Sequence, residues 1–129
     1  MITTNNSDLG ALVTRVALGA MFLAHGLLKF LVFTLPGTAQ FFDSIGFPGW
    51  MAYIVGPAEV LAGIALLVGF HSRWVALASL PILIGSIIPH AANGWLFSAP
   101  NGGWEYPVFL TAIAVAVFFQ GGGKYAVKE

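Results

Sequence analysis

The sequence predicts an all-α membrane protein, an antiparallel bundle of four transmembrane helices. Three observations carry that expectation. Of 129 residues, 58% are hydrophobic and 8% charged, with a mean hydropathy of +0.88; a soluble domain carries about 25% charged residues. Four apolar runs recur along the chain, most near the length of about 20 residues that crosses a bilayer. None alternates apolar with polar residues as a transmembrane barrel strand must.

The first span is expected from about Leu9 to Phe33, interrupted by Arg15, His25 and Lys29. Met1 to Asp8, ahead of it, is polar without a basic residue and does not read as a cleavable secretory signal. Pro36 and Pro48 flank the connection Thr34 to Trp50, where Ala39 to Ile45 suits a short interfacial helix with Phe41 and Phe42 in lipid. A second span runs from about Met51 to Phe70 around Glu59. Only His71, Ser72 and Arg73 separate it from the third, Trp74 to Ala92, so these two must be antiparallel neighbours. Pro81 and Pro89 are expected to kink the third span. Asn93 to Trp104, rich in Gly, Asn and aromatics, leads to the last span, Tyr106 to Gln120. At 1.5 Å per residue that span falls short of a core of about 30 Å and needs Trp104, Glu105 or a locally thin bilayer. The glycines at 121–123 lack the context of a dinucleotide loop and read as a helix stop. The chain is read as one integral membrane domain over residues 1–129.

Composition also excludes. A net charge of zero with no basic cluster argues against nucleic acid. The absence of cysteine removes disulfides, thiol relays, iron–sulfur clusters and thiolate metal sites. Arg15, Arg73, Lys124 and Lys128 collect on one side and Lys29 on the other, so both termini and the 71–73 turn are expected in the cytoplasm of a bacterial or archaeal plasma membrane. Trp50, Tyr53, Trp95, Trp104 and Tyr106 then form an outer aromatic belt, with Trp74 and Tyr125 on the inner side.

Against this apolar background His25, Lys29, Glu59, His90 and Glu105 stand out. A charge in hydrocarbon costs a few kcal/mol or more and usually marks a working site. Counted from the outer ends, His25 and Glu59 lie about 12 Å deep, His90 about 8 Å and Lys29 about 6 Å, with Glu105 at the boundary. Helical periodicity places each on a stripe shared with small residues, the kind of face membrane helices pack together. The stripes are Ala11, Arg15, Gly19, Phe22, His25, Gly26 and Lys29; Ala52, Gly56, Glu59, Gly63 and Leu66; Ser79, Leu83, Ser86, His90 and Gly94; and Glu105, Phe109, Ala112 and Ala116. The five groups are therefore expected to point into the bundle and line one cavity open to the outer face.

These features resemble the DoxX family. The resemblance rests on Arg15 and Gly19, then His25-Gly26 and Lys29; on Phe41-Phe42 and Gly46-Phe47-Pro48; on Glu59, Gly63 and Leu67-Val68-Gly69-Phe70 to Arg73; and on His90, Gly103-Trp104-Glu105-Tyr106 and Gly121-Gly122-Gly123-Lys124-Tyr125. It covers nearly the whole chain. The resemblance implies four membrane spans and a link to thiosulfate:quinone oxidoreductase and terminal oxidase systems, hence a quinone- or quinol-linked role.

Three functional readings compete. In the first, the protein is a component of a quinone-linked redox assembly. His25, Lys29 or His90 donates to quinone carbonyls, Phe22, Phe109 and Trp104 wall a flat slot, and Glu105 completes the ligand site. Glu59 and His90 are the candidate proton relay, since intramembrane Glu and His suit such chains. Nothing in the chain carries an electron by itself, so a redox partner subunit or bound cofactor is required, and autonomous catalysis is not expected. The second reading is a metal site built from His25, Glu59, His90 and Glu105, weakened by the absence of the Glu-x-x-His pairs of di-iron bundles. The third is a non-enzymatic scaffold or small-molecule carrier, with homo-oligomerisation left open. Plainer roles stand beside these: a Glu59 ion pair with Lys29 or His25 that sets register, a Lys29 that snorkels outward, and Arg15 and Arg73 as headgroup anchors.

Overall fold

The computed structural model describes residues 4–96 and 103–128. The middle of the third connection, residues 97–102, and the first residues of the polar leader lie outside them. The described chain is helical: α1 (Thr4–Leu31), α2 (Leu35–Ser44), α3 (Ala52–Val68), α4 (Ser72–Ile87) and α5 (Glu105–Gln120). Short 3-10 turns precede α3 (Gly49–Met51) and extend α4 (Ile88–Asn93).

Three of these elements are long and apolar enough to cross a membrane, Asn6–Leu31, Gly49–Val68 and Ser72–Ala91; α5 is apolar but shorter. The long helices carry large apolar side chains on their outward faces, among them Val13, Ile54, Leu61, Ile64 and Ile84, and Phe119 does the same on α5. That surface suits lipid, not water. The molecule is a helical membrane bundle.

Contacts fix its topology. Gly19 of α1 meets Leu66 and Leu67 of α3, while Gly26 meets Val60. Rising numbers on one helix meet falling numbers on the other, so α1 and α3 are antiparallel. Thr14 bonds to Gln120 and His25 packs on Tyr106, which makes α1 and α5 antiparallel as well. The closest partnerships are α1 with α3 and α4 with α5. Both chain ends and the 69–72 turn share one end of the bundle, here the terminal end. The connections after α1 and α4 share the other, the loop end.

The α1–α3 seam is made of glycine. A Cβ at Gly63 would stand 2.6 Å from Leu23 N and 2.8 Å from Gly19 O, so the two backbones touch directly. Leu18, Phe22, Leu66, Ala76, Leu83, Ala114 and Val117 form a core to which α1, α3, α4 and α5 all contribute. The expected α3 stripe is the observed one: Ala52, Gly56, Glu59, Gly63 and Leu66 are its buried residues.

Elsewhere the structure corrects the sequence reading. Phe109 is 61% exposed and Ala112 is exposed, while Pro107, Ala114 and Val117 are buried. The α5 stripe is therefore Pro107, Leu110, Ala114 and Val117. That helix is apolar all round, so periodicity offers no phase, and Glu105 at its first residue is a poor marker of face. The short connecting helix begins at Leu35, four residues early, because Thr34 caps it by accepting from Gly37 N at 3.2 Å with Pro36 in its first turn.

Arg15 is also not a headgroup anchor. It is 1% exposed and donates through Nη1 to Leu66 O (2.7 Å) and Leu67 O (2.8 Å), two carbonyls near the C-terminus of α3. Its Nε reaches Gly122 O at 3.3 Å and its Nη2 reaches Tyr125 O at 3.5 Å. A helix C-terminus leaves carbonyls without intrahelical donors and carries partial negative charge, which suits a cation.

Candidate functional site

The ionisable groups near the loop end divide into two constellations. In the first, Lys29 Nζ lies 2.7 Å from Glu59 Oε1. The Glu59 side chain is 7% exposed and that of Lys29 19%. Their approach depends on small neighbours, since a Cβ on Gly26 would come within 3.2 Å of Glu59 Cβ and 2.9 Å of Val60 N. The contact is a charge pair without the alignment of a hydrogen bond, as Oε1 makes no directional bond. Lys29 thus turns inward and does not snorkel.

The second constellation surrounds a cleft of about 270 Å³ lined by Trp95, Glu105, Tyr106 and Phe109. The loop is pinned there by two backbone bonds, Trp104 N to Gly94 O (3.0 Å) and Glu105 N to Trp95 O (3.2 Å). Gly103 passes so close to Leu96 that no side chain fits at that position. The rings of Trp95 and Trp104 meet edge to face at 4.5 Å, which fixes the indole over the cleft.

His25 joins this group through Tyr106, its ring centroid 6.2 Å away. Its Nδ1 lies 2.8 Å from Met21 O. A carbonyl only accepts, so Nδ1 is the donor in this contact.

Of the residues expected to act together, the fold joins Lys29 to Glu59, and His25 to the Glu105 cleft through Tyr106. It does not place Lys29 or Glu59 in the lining of that cleft. Phe22, expected as a wall of the ligand slot, is fully buried in the core. His90 sits half-buried in the 3-10 turn that extends α4. Among the described residues no three His, Cys, Asp or Glu gather closely enough to hold a metal ion, so His25, Glu59, His90 and Glu105 do not form one centre. Sequence reasoning placed Trp95 in an interfacial belt, and Tyr106 in that belt and in the family motif, but neither as a wall of a ligand slot. Their flanking of Glu105 across a loop closure had no periodic signal.

Fold and site together define a small helical membrane protein with a buried ion pair and an aromatic cleft at one end of the bundle. The DoxX family profile matches residues 10–92, and the chain belongs to that family. It is 36% identical over 110 residues to the Bacillus subtilis (strain 168) protein named "Putative oxidoreductase CatD", covering 85% of this chain and 79% of that one. It is also 36% identical over 70 residues to "Inner membrane protein YqjF" of Escherichia coli (strain K12), covering 54% of this chain and 52% of that protein. No solved structure matches the chain.

Proposed function

We propose that this protein is a membrane component of a quinone-linked redox assembly, with the Trp95–Glu105–Tyr106–Phe109 cleft as the seat of the quinone ring. The observation that carries the reading is the lining of that cleft. Among the described residues, three aromatic side chains and one carboxylate bound a space of about 270 Å³. Pockets for drug-sized ligands run from about 300 Å³ upward, so this one suits a single substituted ring. The Tyr106 hydroxyl and Trp95 indole N–H are donors for ring carbonyls, and Glu105 is an acceptor for ring hydroxyls. His25, behind Tyr106, supplies a basic nitrogen, and Glu59 with His90 is assigned the proton relay. The Bacillus relative's printed name agrees with a redox role.

In this reading both termini face the cytoplasm and the cleft faces outward. Electron transfer belongs to a partner subunit or bound cofactor, because no side chain here carries an electron.

Two measurements test it. Gently purified protein should carry co-purifying quinone by mass spectrometry, with metal analysis run on the same sample. A benzoquinone added to protein in nanodiscs should quench tryptophan fluorescence saturably, and Trp95→Phe should weaken that quenching. Quenching that is linear in quinone and insensitive to Trp95→Phe would leave the protein as a scaffold or carrier, a reading that the direct Lys29–Glu59 pair already favours.

A further inference from the structure

The C-terminal segment does more than end α5. After Gln120 the backbone turns through Gly121 (φ 74°) and Gly123 (φ 79°), left-handed conformations that glycine adopts without strain. It then crosses the terminal end of the bundle. Lys124 N donates to Asp8 Oδ1 on α1 (3.1 Å). Val127 N and Lys128 N donate to Val68 O (3.1 Å) and Gly69 O (3.0 Å), and His71 N donates to Lys128 O (2.7 Å). The seat for this crossing is Gly69, where a Cβ would strike Ala126 Cα at 2.5 Å. Beneath it lies the Arg15 guanidinium.

We propose that residues 121–128 are a releasable strap over the terminal end of the bundle, with Arg15 as its latch. The bonds of Arg15 are unequal. Those to α3 are short, at 2.7 and 2.8 Å, and those to the strap are long, at 3.3 and 3.5 Å. Strong hydrogen bonds to charged donors fall at about 2.7–2.9 Å, so the strap is the weaker half of the latch. Arg15 keeps its α3 carbonyls when the strap lifts.

The strap also buries little apolar surface. Val127 is 74% exposed and Tyr125 47%, so backbone bonds hold it, and water at the membrane surface can replace them. Segments with few buried apolar contacts open well before the whole fold does. Opening turns a dry guanidinium into one that solvent reaches, and uncovers the backbone edge at Val68, Gly69 and His71.

The chain has no cysteine, and its two arginines are Arg15 and the exposed Arg73. These facts supply the test. Phe70 and Lys128 face each other across an isolated parallel bridge, so a Phe70→Cys/Lys128→Cys variant can be oxidised to tie the strap down. Phenylglyoxal labelling in nanodiscs, read by mass spectrometry, then compares Arg15 with Arg73 in the same molecule. The expected result is slow labelling of Arg15 in the reduced form and a fall of about tenfold or more on oxidation, with Arg73 unchanged, as local opening requires. An Arg15 to Arg73 ratio that is the same in both forms overturns the proposal.

Hydrogen exchange on the unmodified chain gives a second reading if that variant does not fold. The amides of Lys124, Val127 and Lys128 should exchange roughly tenfold or more faster than the α3 amides around Leu66. Equal protection would mean that the strap opens only when the bundle unfolds, and the proposal would fail.

Discussion

Lys29 and Glu59 face each other across the α1–α3 seam, with Nζ and Oε1 2.7 Å apart and the carboxylate almost wholly buried. Breaking such a pair leaves an uncompensated charge in a place of low dielectric, at a cost of roughly 3–5 kcal/mol, whereas replacing both partners by apolar groups is often neutral. Lys29→Met should therefore destabilise the bundle by about that amount, and Lys29→Met/Glu59→Leu should recover most of the loss. Denaturant unfolding in detergent measures both. Equal losses in the single and double variants would show that the pair is not coupled.

Glu59→Gln in a Lys29→Met background separates packing from chemistry at the same position, since it keeps the shape and removes the charge without stranding a buried lysine. If Glu59 carries protons, Glu59→Gln should lower quinone-linked turnover of the assembled complex by about a hundredfold or more, the typical size for losing a general acid or base. Full turnover with Gln, together with reduced stability for Glu59→Ala, would assign Glu59 to the scaffold.

The glycine seam makes a steric prediction. Gly63 sits with Leu23 N and Gly19 O inside the radius of any added Cβ, and both obstacles are backbone. Gly63→Val must push the helices apart, at a cost of roughly 1–3 kcal/mol or more. Gly85, whose Cβ would meet nothing within 4 Å, should accept Ala with little effect. Unfolding curves of the two variants, measured side by side, check the contrast.

Topology is open to a direct assay. A C-terminal reporter fusion should report the cytoplasm, and one placed in the connection between α4 and α5 should report the opposite side, as the Lys and Arg asymmetry requires. A periplasmic signal from the C-terminal fusion would reverse the orientation and move the cleft to the inner face.

The bundle was legible in the sequence wherever a polar residue shared a face with small ones. Glu59 flanked by Gly56 and Gly63 marked the buried side of α3, because a carboxylate and two glycines in lipid both point to a helix neighbour. The same logic failed for α5, where Ala, Val and Phe surround the helix and nothing distinguishes its faces. Arg15 was legible as a member of the α1 stripe but not as a backbone cap, since its partners are carbonyls, which every residue has. The cleft was least visible of all. Trp95 and Glu105 are ten positions apart and meet through one backbone bond, with a second between the adjacent Trp104 and Gly94, a closure that no side-chain pattern encodes.

The preference of α1 for α3, and of α4 for α5, bears on how the protein enters the membrane. Each pair is a hairpin, α1 and α3 joined through the short α2, and α4 and α5 through a 3-10 turn and a loop. By the time Phe70 has been made, the N-terminal hairpin already holds both halves of its charge balance, Lys29 with Glu59, and it holds the Leu66 and Leu67 carbonyls that shelter Arg15. Lys29 and Glu59 can therefore enter lipid already paired, while Arg15, held by the α3 carbonyls, is covered only when residues 121–128 cross over it. The second hairpin brings Arg73 at the terminal end and His90 and Glu105 at the loop end, and residues 121–128 cross the terminal end only after α5 has been made.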